Sequence, residues 1–262
     1  MRTAELLNLA YFAFFTILAV LRALPLPSRI KAVLIGLTGM GVNGAASGAP
    51  GPLRDWLPVP LMALAYWQSG CFFQKPNPRL QSLFETSERR FLALLHIHPD
   101  ELARTWLGSL LEFAYMFCYP VVPLGLGVLY ISGFSNAADE YWTNVLLSAY
   151  PCYILLPFIQ LLPPRLVERT PVSGNRIAYL RGLNLWLVRR VTHEANTFPS
   201  GHVAASAAIA LVLLRFTPGA GLVFAFIAAG IAAGCIVGRY HYIVDVAAAF
   251  ILAATIFTIV AL

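Results

Sequence analysis

The sequence reads as an all-α fold, a polytopic membrane helix bundle, and three observations carry that reading. Of 262 residues, 59% are hydrophobic and only 11% are charged, whereas a water-soluble domain carries about 25% charged residues. Mean hydropathy is +0.72. The apolar residues gather into stretches near 5–26, 31–47, 56–73, 108–133, 142–163, 201–216, 219–238 and 242–262. A helix needs roughly 20 such residues to cross a hydrocarbon core of about 30 Å.

Taken in order, the stretch 5–26 begins after Arg2 without a small-residue cleavage site, so it reads as a retained span. The second stretch is rich in glycine (LIGLTGMGVNGAASGAPGP) and is the least secure of the set as a full span. These two make residues 1–50 a pair of N-terminal membrane helices, with 51–262 as the remaining unit. Cys71, Cys118, Cys152 and Cys235 stand singly, without CxxC spacing. They read as small apolar filler rather than as a disulfide or zinc framework.

Residues 78–107 follow a different pattern. Leu80, Leu83, Phe84, Phe91, Leu94 and Leu95 recur near helical spacing, with Arg79, Glu85, Glu88, Arg89 and Arg90 between them. That suits an amphipathic helix lying in the membrane interface. The longest polar connection is 164–200, which holds Arg165, Arg169, Arg176, Arg181, Arg189, Arg190 and His193. It follows LLPPR at 161–165, where proline ends the helical ladder. Arg165 therefore stands at the mouth of a span, on the same side as Ser200.

The formal charge of +6 does not indicate nucleic acid, because the chain has two lysines, Lys31 and Lys75, and no basic run. Membrane lipids and phosphate groups are the expected partners.

Two stretches carry chemistry. NTFPSGH at 196–202 delivers Ser200, Gly201 and His202 to the start of an apolar helix, and GRYHYIVDVAAAF at 238–250 carries Arg239, His241 and Asp245. A single crossing between Arg215 and Gly238 returns His241 to the side that holds Ser200. At i,i+4 on a helix, His241 and Asp245 share a face. The carboxylate can then hold one ring nitrogen and leave the other as a nucleophile. Ser200 and Gly201 can cap the helix, whose free N–H groups favour an anion, and Arg165 and Arg239 can supply phosphate contacts. One histidine attacks phosphorus while the other protonates the leaving oxygen. No metal and no cofactor enters this chemistry.

FPSGH followed by VAAS, with HYIVD one span later, resembles the type 2 phosphatidic acid phosphatase (PAP2) superfamily over roughly 56–262. The stretches RYHYIVDV, LLEFAYMFCY at 110–119 and HPDEL are most similar to its inositol phosphorylceramide synthase-like branch and related bacterial proteins. The resemblance implies a six-helix core within 51–262, with one or two extra N-terminal helices. It also implies a lipid phosphate substrate and a place in the cell membrane of a bacterium. By the same resemblance His241 is the nucleophile, Asp245 orients it, His202 protonates the leaving group, and Ser200 with Gly201 cradle the phosphate. Two positions depart from the family pattern: Phe158 stands in the first motif's lysine slot, and Cys235 where the third motif carries an arginine. Arg239 is then the nearest substitute, with Arg181, Arg189 and Arg190 as further candidates.

Other residues have plainer readings. Glu112, inside an apolar run, calls for a tyrosine or arginine partner or a place near the site. Tyr115 and Tyr119 read as packing on one helix face, and His96, His98 and His193 as surface histidines. Trp56, Trp67, Trp106, Trp142 and Trp186 read as interfacial anchors. Arginine-rich loops on the side of the site point to the cytoplasm, while the family's sites usually face outward. Three functions fit the sequence: a lipid phosphatase acting through phosphohistidine, a phospho-headgroup transferase between lipids, and a non-catalytic scaffold or lipid transporter.

Overall fold

The computed structural model describes residues 1–168 and 175–261, with no β-strand among them. Arg169 lies outside the described residues, as does the side chain of Arg176. The N-terminal stretches form α1 (Thr3–Leu21) and α2 (Leu26–Ala46), separated by a proline-containing turn at Pro25. The next stretch is divided into α3 (Gly51–Trp56) and α4 (Pro58–Gly70).

The amphipathic segment becomes α5 (Pro78–Leu94) and the short α6 (Pro99–Leu102). Asn77 caps α5 by accepting from the N–H groups of Arg79 and Leu80, with Pro78 at the first helical position where no N–H is needed. Leu83, Leu94 and Leu95 stay exposed, as an apolar face turned toward lipid requires.

The stretch 108–133 is not one straight span. It forms α7 (Trp106–Met116) and α8 (Val121–Ile131), inclined at 68°, with the break ending at Pro120, which has no N–H for the ladder. The stretch 142–163 also differs: α9 (Ala138–Ile154) starts earlier and ends earlier, with Pro151 in its last turn. The connection 164–200 is not a simple loop, because it folds into α10 (Pro164–Val167) and α11 (Asn175–Val191). The chain closes with α12 (Gly201–Phe216), α13 (Pro218–Val237) and α14 (Ile243–Ala261).

Helix α12 sits at the centre, packed against α13, α9, α14 and α8. Ala204, Ala205, Ser206, Ala207, Ala208 and Ala210 are all buried along it, and such small residues let neighbouring backbones approach closely in a membrane bundle. Helices α1, α13 and α14 are long and apolar enough to span, and Ile17, Phe226 and Ile251 project outward from them. The chain is a membrane protein.

A polar network ties the end of the bundle away from His202. Asp139 accepts from the N–H groups of Thr3 and Ala4 at the start of α1, where the helix dipole favours an anion. Asp55 pairs with Arg2 and accepts from Tyr130. Trp142 is not an interfacial anchor: it is 1% exposed, and its indole N–H donates to the Asp55 carbonyl at 2.6 Å. The opposite end gathers the C-termini of α9 and α13 and the N-termini of α12 and α14.

Candidate active site

Both histidines arrive from backbone that the bundle fixes. His202 is in the first turn of α12, and His241 is in the connection between α13 and α14. Their ring centroids are 6.0 Å apart at an interplanar angle of 78°, so one atom can lie between them. His241 Nδ1 is 3.3 Å from Asp245 Oδ2. A carboxylate only accepts, so a neutral ring paired with it presents its N–H at Nδ1 and its lone pair at Nε2.

Asp245 is fully buried, so its charge needs partners. Its Oδ2 accepts from the Asn196 side-chain amide at 2.8 Å and from the Tyr242 N–H at 2.9 Å. Its own carbonyl accepts from the Ser200 N–H at 3.1 Å, which ties the two sequence motifs together through the backbone. The sequence singled out Asp245 but gave Asn196 no role. Its position in NTFPSGH, at the head of the motif, was the available signal.

A narrow cavity of about 20 Å³ lies between the rings, lined by Gly201, His202, His241 and Arg165 together with Tyr66, Tyr115, Tyr153, Tyr240, Thr192, His193, Asn196 and Thr197. Among the described residues Arg165 is the arginine on this lining. Its backbone N–H donates to the Arg239 carbonyl at 2.9 Å, and its guanidinium lies 5.5 Å from the centre of the Tyr240 ring.

Ser200 is fully buried and is not part of this lining. Its hydroxyl does not cap α12 and has no partner among the described residues. Thr197 Oγ1 accepts from the Gly201 N–H instead, at 3.4 Å. Gly201 itself is required by space, because a Cβ there would lie 2.7 Å from Tyr153 Cε1.

Arg239 does not reach the cavity. It is held with positive φ of 58°, and its guanidinium pairs with Glu88 from α5 and with Glu168. Glu88 also accepts from the Ile243 N–H at 2.8 Å, at the start of α14. Burial raises the Glu88 carboxyl above its usual range, although the Ile243 N–H and Arg239 oppose that shift. The polar side of α5 is therefore a buttress behind the His241 connection. Gln81 donates to the Tyr242 hydroxyl, and Phe84 packs on Phe198 and Tyr242.

Arg181 is engaged as well. It pairs with Glu112 at 2.6 Å and donates to the Gly238 carbonyl. Glu112 also accepts from Asn184 and from the Tyr240 hydroxyl, so it has both the arginine and the tyrosine partner its cost demanded. Tyr240 stacks on Tyr115 with centroids 3.9 Å apart and planes within 3°. Tyr115 thus packs, as its spacing indicated, and also borders the cavity.

His193 is not a surface histidine. Its ring stacks on Tyr66 with centroids 4.2 Å apart and borders the cavity. Burial, with Arg165 nearby, lowers its pKa from 6.5 to about 4.

An apolar groove of about 200 Å³ shares His202, Gly201, Tyr66, Tyr153 and Thr192 with the cavity and runs between Val59, Met62, Trp67, Val122, Pro123 and Ala205. No curated protein and no solved structure matches the chain. The family model that does match is described as the PAP2 superfamily and spans residues 88–259, from the buttressing Glu88 through both histidines and into the last helix; the chain belongs to that superfamily.

Proposed function

We propose that the chain is a metal-independent lipid phosphatase that works through a phosphohistidine intermediate. One observation carries this reading: His202 and His241 face each other across a polar cavity, and His202 also borders an apolar groove. A lipid phosphate can then sit with its headgroup between the rings and its chain in the groove.

In the first step His241 Nε2 attacks phosphorus, and the bond from phosphorus to the lipid oxygen breaks. The leaving oxygen takes its electron pair and a proton from His202. Asp245 stabilises the positive charge that develops on the His241 ring. In the second step water attacks phosphorus and gives its proton to His202. The P–N bond breaks, its electron pair returns to His241, and phosphate leaves. Arg165 and the N–H groups of α12 that follow Gly201, whose own N–H is taken up by Thr197, oppose the negative charge on the equatorial oxygens. Placing acid and nucleophile on opposite sides of the phosphorus is worth on the order of 10²–10⁴ for the proton transfer alone.

A second reading replaces water by a lipid or polyol hydroxyl, making the protein a phospho-headgroup transferase. The mixed cavity of about 400 Å³ beyond Arg165, lined by Arg181, Arg189, Thr192, His193 and Glu194 together with Leu166, Leu185 and Val188, favours it by offering room for an acceptor with both polar and apolar parts.

The test is phosphate release by purified protein in detergent with a metal chelator present. Phosphatidate, isoprenyl pyrophosphate and phosphatidylglycerol phosphate are compared, with His241→Ala alongside. Release that survives the chelator and vanishes in the variant supports the hydrolase. Absence of release, with label moving from one lipid to another, supports the transferase and overturns the hydrolase.

A further inference from the structure

His193 is the one histidine in the cavity lining that the two-histidine chemistry leaves unused. Both of its ring nitrogens are sealed from solvent, and neither makes a well-formed hydrogen bond among the described residues, although the Ala195 backbone is close enough to raise the ring's pKa slightly against burial. Buried polar atoms of this kind cost free energy unless something pairs with them. The ring is held in place by two residues of α4. It stacks on Tyr66 at an interplanar angle of 19°, and it covers Gly70 so closely that a Cβ there would lie 2.4 Å from its Cδ2. It stands where the catalytic cavity meets the mixed cavity beyond Arg165.

The chemistry of the ring narrows what it would bind. Burial and the neighbouring Arg165 hold it neutral near pH 7, so it offers one N–H donor and one nitrogen acceptor. A neutral ring adds no charge to anion binding, and an ionised phosphate oxygen can pair only with its N–H, not with the accepting nitrogen. A hydroxyl donates and accepts, so it can pair with either nitrogen once the ring, which borders the cavity, turns that edge toward it.

We propose that His193 is a specificity-determining residue that hydrogen-bonds a hydroxyl one or two carbons from the reacting phosphate, as in a glycerol-type phosphate. This rests on reading the cavity between His202 and His241 as the phosphate site. It adds the side chain that reads what is attached to that phosphate.

The test compares binding of three soluble probes to the full chain in detergent: inorganic phosphate, ethyl phosphate and sn-glycerol 3-phosphate. The last two differ by two hydroxyls and one carbon, and n-propyl phosphate, run beside them, isolates the hydroxyls. Wild type is expected to bind sn-glycerol 3-phosphate about tenfold more tightly than ethyl phosphate, as a hydrogen bond to a buried, otherwise unpaired group implies. His193→Phe keeps the stack on Tyr66 and removes both nitrogens, so the ratio should fall to about one. His193→Gln keeps a donor and an acceptor and should restore a ratio of several-fold. Equal binding of the two esters by wild type, with inorganic phosphate still bound, overturns this inference alone. An unchanged ratio in His193→Phe does the same. Failure of all three probes to bind overturns the phosphate-site reading along with it.

Discussion

The imidazoles of His202 and His241 stand 6.0 Å apart and nearly perpendicular, one in the first turn of a buried alanine-rich helix and the other in the connection before the last span. Their relation is fixed through backbone. The Ser200 N–H, two residues before one ring, donates to the carbonyl of Asp245, four residues after the other. The two motifs are therefore joined directly, main chain to main chain.

Asp245 Oδ2 lies against His241 Nδ1, and the Asn196 side-chain amide donates to that same oxygen. Asp245→Asn should lower kcat by about 10²–10⁴, the range seen when a histidine loses its orienting carboxylate or its proton-transfer role. Asn196→Ala should cost about 1 kcal/mol of stability for the lost hydrogen bond and lower kcat by less than Asp245→Asn does. Thermal unfolding and initial rates on one lipid phosphate check both.

Arg165 and Arg239 should separate cleanly. Arg165 borders the cavity, so Arg165→Gln should lower kcat/KM by about 10², as for a lost charge-assisted contact to the reacting group. Arg239→Gln strands Glu88, which is 2% exposed, and removing one partner of a buried pair costs about 3–5 kcal/mol. Adding Glu88→Gln to Arg239→Gln should recover part of that stability, read as the unfolding midpoint in detergent.

The apolar groove predicts chain-length dependence. Ala205 is 3% exposed and lies on the groove wall. Ala205→Phe should raise KM for a long-chain phosphate about tenfold relative to KM for a short soluble ester. The ratio of the two KM values is the readout.

His193 predicts an acid-sensitive stability. Its folded pKa, about 4, is depressed below the ordinary 6.5 by burial and Arg165. Between those values the unfolded chain binds a proton that the folded chain refuses, so stability falls as pH drops from 6.5 to 4. The unfolding midpoint should therefore fall more between pH 7 and 4.5 in wild type than in His193→Phe.

Much of this was legible in the sequence because it depends on periodicity and short spacing. Apolar stretches place the spans, the spacing of His241 and Asp245 brings them together although His241 stands just before α14 rather than on it, and one crossing returns the pair to His202. What escaped depends on contacts distant in sequence. Nothing near Arg239 shows that Glu88, 151 residues away, takes up its charge. Nothing near His193 shows that Tyr66 and Gly70 build a seat for its ring. The bend after α7 was readable from Pro120 but was hidden by an uninterrupted apolar run. The end of α9 was hidden in the same way. Trp142 reads like its four counterparts until Asp55 is seen beneath it.

The central claim is a covalent bond between phosphorus and His241, and acid-sensitive phosphohistidine can be trapped directly. Purified protein is mixed with labelled lipid phosphate, denatured in alkali within the first turnovers, digested and mapped by mass spectrometry. The account predicts label on His241 that is stable to alkali, lost in acid, and absent from His241→Ala. Steady phosphate release with no label on His241, or with release undiminished in His241→Ala, would contradict it.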